Sequence, residues 1–262
     1  FQGFGNILGF KHYYGKDEYN NDADFDGMWA IWDEPFFQYF ARTLNQKKSP
    51  FMATMFSASS HHPFKVPEKY EGKFKKGTLE IHAPIQYTDY SIKKFFETAK
   101  KMPWYNNTIF VFVADHTNQV AYPQYEKAIN RFAVPILFYS PNPKYNLKGE
   151  INEPAQQMDI YPTLADLMGY NKRLRSWGRS LVSEDKNYMI VNSDSINEQF
   201  MIGNYIYLFD GKNVTGIYDI NDKGLEKNLI NSFKNEEIEK GILLCKAWYQ
   251  DYMYRVINRK LE

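Results

Sequence analysis

Two short, nearly continuous apolar runs constrain the fold of this 262-residue chain more than any other feature: FMATMFSA at 51–58 and TIFVFVA at 108–114. Both fall far short of the roughly 18 apolar residues that a membrane span needs. Unbroken runs of this length suit strands covered on both faces, as in a parallel sheet flanked by helices. Helical patterns stand before, between and after them. Asp33 is placed to cap a helix over about 34–46, with Pro35 in the first turn and Phe36, Phe37, Phe40 and Leu44 at helical spacing. A second helix is predicted from about Gln86 to Lys101, with Tyr87, Tyr90, Ile92, Phe95 and Phe96 on one face and Pro103 ending it. A third apolar run, Phe132–Tyr139, closes at Pro141, and Asp159–Tyr170 has the pattern of a helix stopped at Gly169. This alternation predicts an α/β fold with a mainly parallel sheet.

The remainder divides by pattern. Residues 1–32 and 59–84 lack periodicity and are expected as loops; a loop as long as the second is usually functional or disordered. The aromatic stripe over 29–40 is expected in the core. Beyond 187 the pattern changes. Short runs at Tyr188–Asn192, Gln199–Ile202, Tyr205–Asp210 and Gly216–Ile220, with turn signals Gly203-Asn204 and Asp210-Gly211, predict an antiparallel meander. A helix over about 235–255 follows. The expected division is therefore an α/β portion over 1–187 and an antiparallel β subdomain with a terminal helix over 188–262.

Composition excludes several function classes. At 44% hydrophobic and 24% charged residues the chain is unlike a disordered one. A net charge of +1 offers no electrostatic basis for binding nucleic acid. Cys245 stands alone, so neither an internal disulfide nor a Cys-rich metal site can form, and its apolar surroundings make it a core filler. Both ends resemble cut ends: Phe1 is preceded by no Met, and Leu261-Glu262 matches a common vector-derived ending, natural sequence being the alternative there.

The chemistry concentrates at two strand ends. Asp115-His116 follows TIFVFVA directly, and His61-His62 lies just beyond FMATMFSA. In open α/β sheets, ligands bind in the crevice beyond the carboxyl ends of the strands. Two neighbouring strands ending this way would gather a carboxylate and imidazoles, a donor set suited to Zn²⁺ or Mn²⁺. The plainer alternatives are a turn capped by Asp115 and a pair of solvated histidines. His12 and His82 have no partner in sequence and are expected at the surface. No Gly-rich phosphate loop, nucleophile elbow or His-Glu-x-x-His motif occurs.

Several motifs then carry a resemblance. Ala114-Asp115-His116 after an apolar strand, Phe132–Pro141, and Gln157-Met158-Asp159-Ile160-Tyr161-Pro162-Thr163-Leu164 stand in the order found in the second half of alkaline phosphatase and sulfatase superfamily proteins. Ser59-Ser60-His61-His62-Pro63-Phe64 is similar to the Ser-x-His-x-Pro-aromatic motif of the lipoteichoic acid synthase-like group. Tyr218-Asp219-Ile220-Asn221-Asp222, then Glu226-Lys227-Asn228-Leu229, resembles the C-terminal sheet motif of sulfatases. The resemblance covers nearly the whole chain.

It implies an alkaline phosphatase-like fold whose N-terminal part, with the acidic metal ligand and the nucleophile, lies upstream of Phe1. It implies that Asp115 and His116 are paired ligands of a divalent metal, Mn or Zn, whose remaining ligands are outside this chain. His61 would be a substrate-binding histidine, and Asp159–Thr163 a structural helix start. The implied activity is that of an extracytoplasmic metal-dependent phosphotransferase or phosphate or sulfate ester hydrolase. Its substrate would be an ester of phosphate or sulfate, lipid- or glycan-linked forms included. The whole protein would be anchored to the cytoplasmic membrane by upstream helices and face outward, at the periplasm or cell surface; this chain alone would be inactive. The alternatives are a true sulfatase, whose Cys-x-Pro-x-Arg signature would lie upstream, and an inactive binding module on the same fold. Two positions depart from the synthase pattern: Thr117 replaces the usual Gly, and Val120 replaces a polar residue. Both bear on whether glycerol phosphate is the substrate.

Overall fold

A computed structural model describes residues 2–126, 128–185, 187–222, 224–232 and 235–260. Phe1 and Leu261-Glu262, on which the reading of cut ends falls, lie outside the described residues. The chain packs as two compact units, Phe1–Ile109 with Ser140–Asn142, and Phe110–Tyr139 with Pro143–Glu262.

The first unit is helical. Short helices α1 (Gln2–Ile7) and α2 (Lys16–Tyr19) precede α3 (Asp33–Leu44) and α4 (His82–Ala99), which pack on each other. Phe37 and Phe40 of α3 meet the Phe95 ring of α4, with centroids 6.0 and 6.2 Å apart. Tyr87 is fully buried, and its hydroxyl accepts the Glu34 N–H at 3.2 Å. The α4 helix begins at His82, four residues before the predicted start, where the ring Nδ1 accepts the Leu79 N–H at 3.4 Å.

Two expectations are corrected in this unit. Residues 51–58 form no strand and have no ladder partner among the described residues. Nor is the run buried, Met52 and Phe56 being 74% and 62% exposed, and a strand needs a neighbour to accept its backbone hydrogen bonds. Asp33 does not cap α3 either. It is the first helical residue, and its carboxylate accepts the Ala58 and Ser59 N–H groups at 3.1 and 3.2 Å and the Thr88 hydroxyl at 2.7 Å.

In the second unit β1 (Phe110–Val113) pairs with β2 (Ile136–Tyr139), and the pairing is antiparallel, from Phe110 opposite Tyr139 to Val113 opposite Ile136. The predicted parallel sheet is therefore not formed among the described residues; every ladder there is antiparallel. Helix α5 (Ile160–Leu167) leads into the predicted meander, β3 (Met189–Ser193), β4 (Glu198–Ile202), β5 (Tyr205–Phe209) and β6 (Val214–Asp219), in sequential order. Helix α6 (Glu236–Ile257) closes the chain.

The period-two alternation of strands sorts the meander's residues to its two faces. Phe200, Tyr205, Tyr207, Phe209 and Ile217 pack with Ile238 and Cys245 of α6. Ile190 and Ile206 turn the other way, toward Ile129. Buried α6 residues Ile238, Gly241 and Cys245 follow helical spacing, and Asn235 caps the helix by accepting the Ile238 N–H at 2.7 Å. Gly241 is required where α6 crosses β5, since any Cβ there would overlap the Tyr207 ring and hydroxyl. Among the described residues, no helix is long and apolar enough to cross a membrane.

Candidate metal pair and substrate histidine

The second unit places Asp115 and His116 immediately past β1, where the chain leaves the ladder. The His116 N–H donates to Asp115 Oδ1 at 2.8 Å. His116 Nδ1 lies 2.8 Å from the Thr117 carbonyl oxygen. A carbonyl only accepts, so Nδ1 carries a proton, and the neutral ring keeps its lone pair on Nε2, the form in which histidine binds metals. That Nε2 is 3.4 Å from Asp115 Oδ2. Two ligands of a tetrahedral ion with bonds of about 2.1 Å stand about 3.4 Å apart, so the spacing matches one metal held between them.

The two side chains are 57% and 54% exposed, so an ion held between them would keep its remaining positions open. No cluster of three or more His, Cys, Asp or Glu side chains suited to a metal occurs among the described residues. The pair therefore fits a divalent metal as half of a coordination shell.

Sequence reasoning missed what holds this strand end. Gln157 Nε2 donates to the Ala114 and Asp115 carbonyls at 2.7 and 3.0 Å. The Thr117 hydroxyl donates to the Arg131 carbonyl at 2.7 Å, a tie that the usual glycine could not make. No pattern of polarity distinguishes Gln157 from its neighbour Gln156; only its place in the Gln-Met-Asp-Ile-Tyr-Pro-Thr motif could have drawn attention to it.

Asp159 is 1% exposed and structural. Its oxygens accept the Gln156 and Arg179 N–H groups at 2.9 and 2.8 Å, and the Thr163 hydroxyl, bonded to the Asp159 carbonyl, accepts the Leu181 N–H. Gly178 allows this approach, since a Cβ there would overlap the Met158 carbonyl.

In the first unit, residues 59–63 form turns. Backbone N–H groups of His61 and Phe64 donate to the carbonyls of Ala58 and His61 at 3.0 and 3.1 Å, and the His62-Pro63 bond is cis. Different contacts separate the two histidines. The His61 ring lies against the Trp29 indole, centroids 4.3 Å apart, and its Nδ1 is 3.1 Å from the His62 carbonyl. Trp29 Nε1–H donates to the same carbonyl at 2.7 Å. Nε2 is thus the His61 nitrogen left to meet a ligand, whereas the His62 ring stands edge-on to Phe64. Ser59, 4% exposed, anchors the turn by accepting the Asp33 N–H at 2.9 Å.

Trp29 corrects the expectation of a core aromatic stripe: it is 55% exposed. Asp26 fixes its backbone by accepting the N–H groups of Met28, Trp29 and Ala30 on one oxygen. The Asp26-Gly27 dipeptide was the available signal for that turn. Cys245 is buried, and burial pushes its thiol up to about 12, consistent with an inert packing residue.

Comparison with known proteins adds the evolutionary context. The family model described as Sulfatase matches residues 2–170, the span that holds His61, Asp115 and His116. A lipoteichoic acid synthase-like protein of Bacillus subtilis, YvgJ, is 22% identical over 221 residues, covering 76% of this chain and 35% of its own length. Lipoteichoic acid synthase of Staphylococcus saprophyticus is 26% identical over 253 residues, covering 90% of this chain and 39% of its own. The chain thus spans little more than a third of these relatives. Among solved structures, an alkaline phosphatase superfamily protein from Vibrio parahaemolyticus superimposes with a TM-score of 0.67 at 24% identity, over 91% of this chain and 59% of that one. The lipoteichoic acid synthase LtaP of Listeria monocytogenes gives 0.64 at 17% identity, over 96% and 66%. These two likenesses establish a shared fold.

Proposed function

From the sulfatase family, to which this chain belongs, we infer that it is the C-terminal part of a metal-dependent enzyme acting on phosphate or sulfate esters, phosphotransfer being favoured. Residues 1–187 would belong to its α/β catalytic domain and 188–262 to a C-terminal subdomain. A parallel sheet would be completed by strands upstream. The whole protein would face outward from the cytoplasmic membrane, anchored by upstream helices. Phosphotransfer is favoured over sulfate hydrolysis because the sequence relatives described above are lipoteichoic acid synthases or resemble them.

The observation that carries this reading is the Asp115 Oδ2–His116 Nε2 pair, 3.4 Å apart at the end of β1. Asp115 would hold Mn²⁺ or Zn²⁺ through its carboxylate and His116 through Nε2, with the other ligands upstream. The bound metal would lower the pKa of the nucleophile and offset charge on the oxygens of the transferring group. Asp115 keeps His116 in place through its bond to the backbone N–H, and the Thr117 carbonyl keeps the proton on Nδ1. His61, held by Trp29 and the His62 carbonyl, would present Nε2 to a substrate oxygen without ligating the metal.

Turnover assays with the whole protein and with this chain test the reading. The whole protein is expected to cleave or transfer phosphate esters in a Mn²⁺- or Zn²⁺-dependent way, and this chain alone to do neither. His61→Ala should lower kcat/KM roughly ten- to a hundred-fold with metal content unchanged, as expected for losing one hydrogen bond of about 1–3 kcal/mol to the transition state. His62→Ala should be near neutral. Sulfate-ester turnover without phosphate-ester turnover would make the protein a true sulfatase, and no turnover with either would leave the binding module.

A further inference from the structure

We propose that Gln157 is a positioning residue for the metal pair: its side-chain amide holds the end of β1 so that Asp115 and His116 present Oδ2 and Nε2 to one ion. The inference rests on the metal-site reading above and adds a residue to it. Past Val113 the strand has no ladder partner among the described residues, so the position of the Ala114 and Asp115 carbonyls is set by bonds from another element. Gln157 Nε2 supplies both, at 2.7 and 3.0 Å. An amide nitrogen with two hydrogens suits two successive carbonyls. A carboxylate has only acceptors, and asparagine is one carbon shorter.

The segment carrying Gln157 is itself fixed. Gln156 N–H and Arg179 N–H both donate to the buried Asp159 carboxylate. The Gln156 side chain grips β3 instead: Nε2 donates to the Met189 carbonyl at 2.8 Å, and Oε1 accepts the Val191 N–H at 3.0 Å. Adjacent glutamines thus make bonds of the same kind to different elements. Gln156 ties this segment to the meander, and Gln157 ties it to the strand end that bears the metal pair. Thr117 holds the far side of the pair through the Arg131 carbonyl. A change at Gln157 should therefore alter metal affinity, and a change at Gln156 should alter stability.

Calorimetric titration of the whole protein with Mn²⁺ separates these roles. Removing the partner that orients a metal ligand typically costs ten- to a hundred-fold in affinity, so Gln157→Leu should raise the Mn²⁺ Kd by about that factor. Its unfolding should stay cooperative, and kcat should recover at saturating Mn²⁺. Gln156→Leu should leave the Kd within about two-fold, because its bonds do not touch the ligands. An unchanged Kd in Gln157→Leu, beside loss of binding in Asp115→Ala, overturns the proposal. Equal losses in Gln156→Leu and Gln157→Leu overturn it too, as general loosening. Wild-type Mn²⁺ affinity in Asp115→Ala and in His116→Ala would instead remove the metal-site reading itself.

Discussion

The buried Asp33 carboxylate sets the position of the His61 turn, and Asp33→Ala measures how much it contributes. Asp33 is 2% exposed, and it accepts hydrogen bonds from Ala58 N–H, Ser59 N–H and the Thr88 hydroxyl. Hydrogen bonds to a charged group contribute about 1.5–3 kcal/mol each, and a buried donor left unpaired keeps its desolvation penalty. Thr88 is half-buried, so water can replace its partner. Ala58 is half-buried too, so the buried Ser59 amide accounts for most of the effect, about 2–3 kcal/mol of lost stability. Asp33→Asn keeps an oxygen for both amides and turns an NH2 toward the Thr88 hydroxyl, which can rotate to accept from it, so it should cost about 1 kcal/mol. Urea denaturation of this chain gives both values, and hydrogen exchange at Ala58 and Ser59 reports the loop directly. A loss under about 1 kcal/mol in Asp33→Ala, or equal losses in the two variants, would refute the reasoning.

Gly241→Ala should destabilise the chain by roughly 1–3 kcal/mol in the same denaturation assay, because overlap with Tyr207 outweighs the gain in helix propensity of about 1 kcal/mol. Cys245, its thiol pushed up to about 12 by burial, should resist iodoacetamide in the native protein at pH 9 and react once it is unfolded. Asp194 is held below its ordinary value of 3.8 mainly by the Asn197 backbone N–H, with Ile196 N–H and Gln199 adding to it. Its contribution should therefore be fully present above pH 4 and fade as pH falls through the lowered value. Stability compared across pH between wild type and Asp194→Asn checks this; a difference that grows on acidification would reverse the sign.

The meander was legible because its signal is local. Short runs mark the strands, Gly203-Asn204 and Asp210-Gly211 mark two of the turns, and each strand pairs with its neighbour in sequence. Helix α6 was legible for the same reason, the predicted span of about 235–255 matching Glu236–Ile257. Residues 51–58 were misread because strand formation depends on a partner that the run itself does not encode. Asp115 and His116 stood out by following an apolar run, and the structure adds the Thr117 carbonyl beside His116 Nδ1 and the spacing of the pair. The roles of Asp33 and Gln157 were hidden because their partners are backbone groups 25 and 42 or more positions away, which no local pattern indicates. Trp29 was assigned to the core because an aromatic residue carries the same apolar signal whether it packs inside or leans on an exposed histidine.

The central claim is that Asp115 and His116 together hold one divalent metal. Anomalous diffraction from crystals of the whole protein grown with Zn²⁺ or Mn²⁺ tests it most directly. The account predicts a peak about 2.0–2.2 Å from an Asp115 carboxylate oxygen and from His116 Nε2, with the remaining ligands supplied from upstream. A fully occupied metal with neither residue within bonding distance would contradict it.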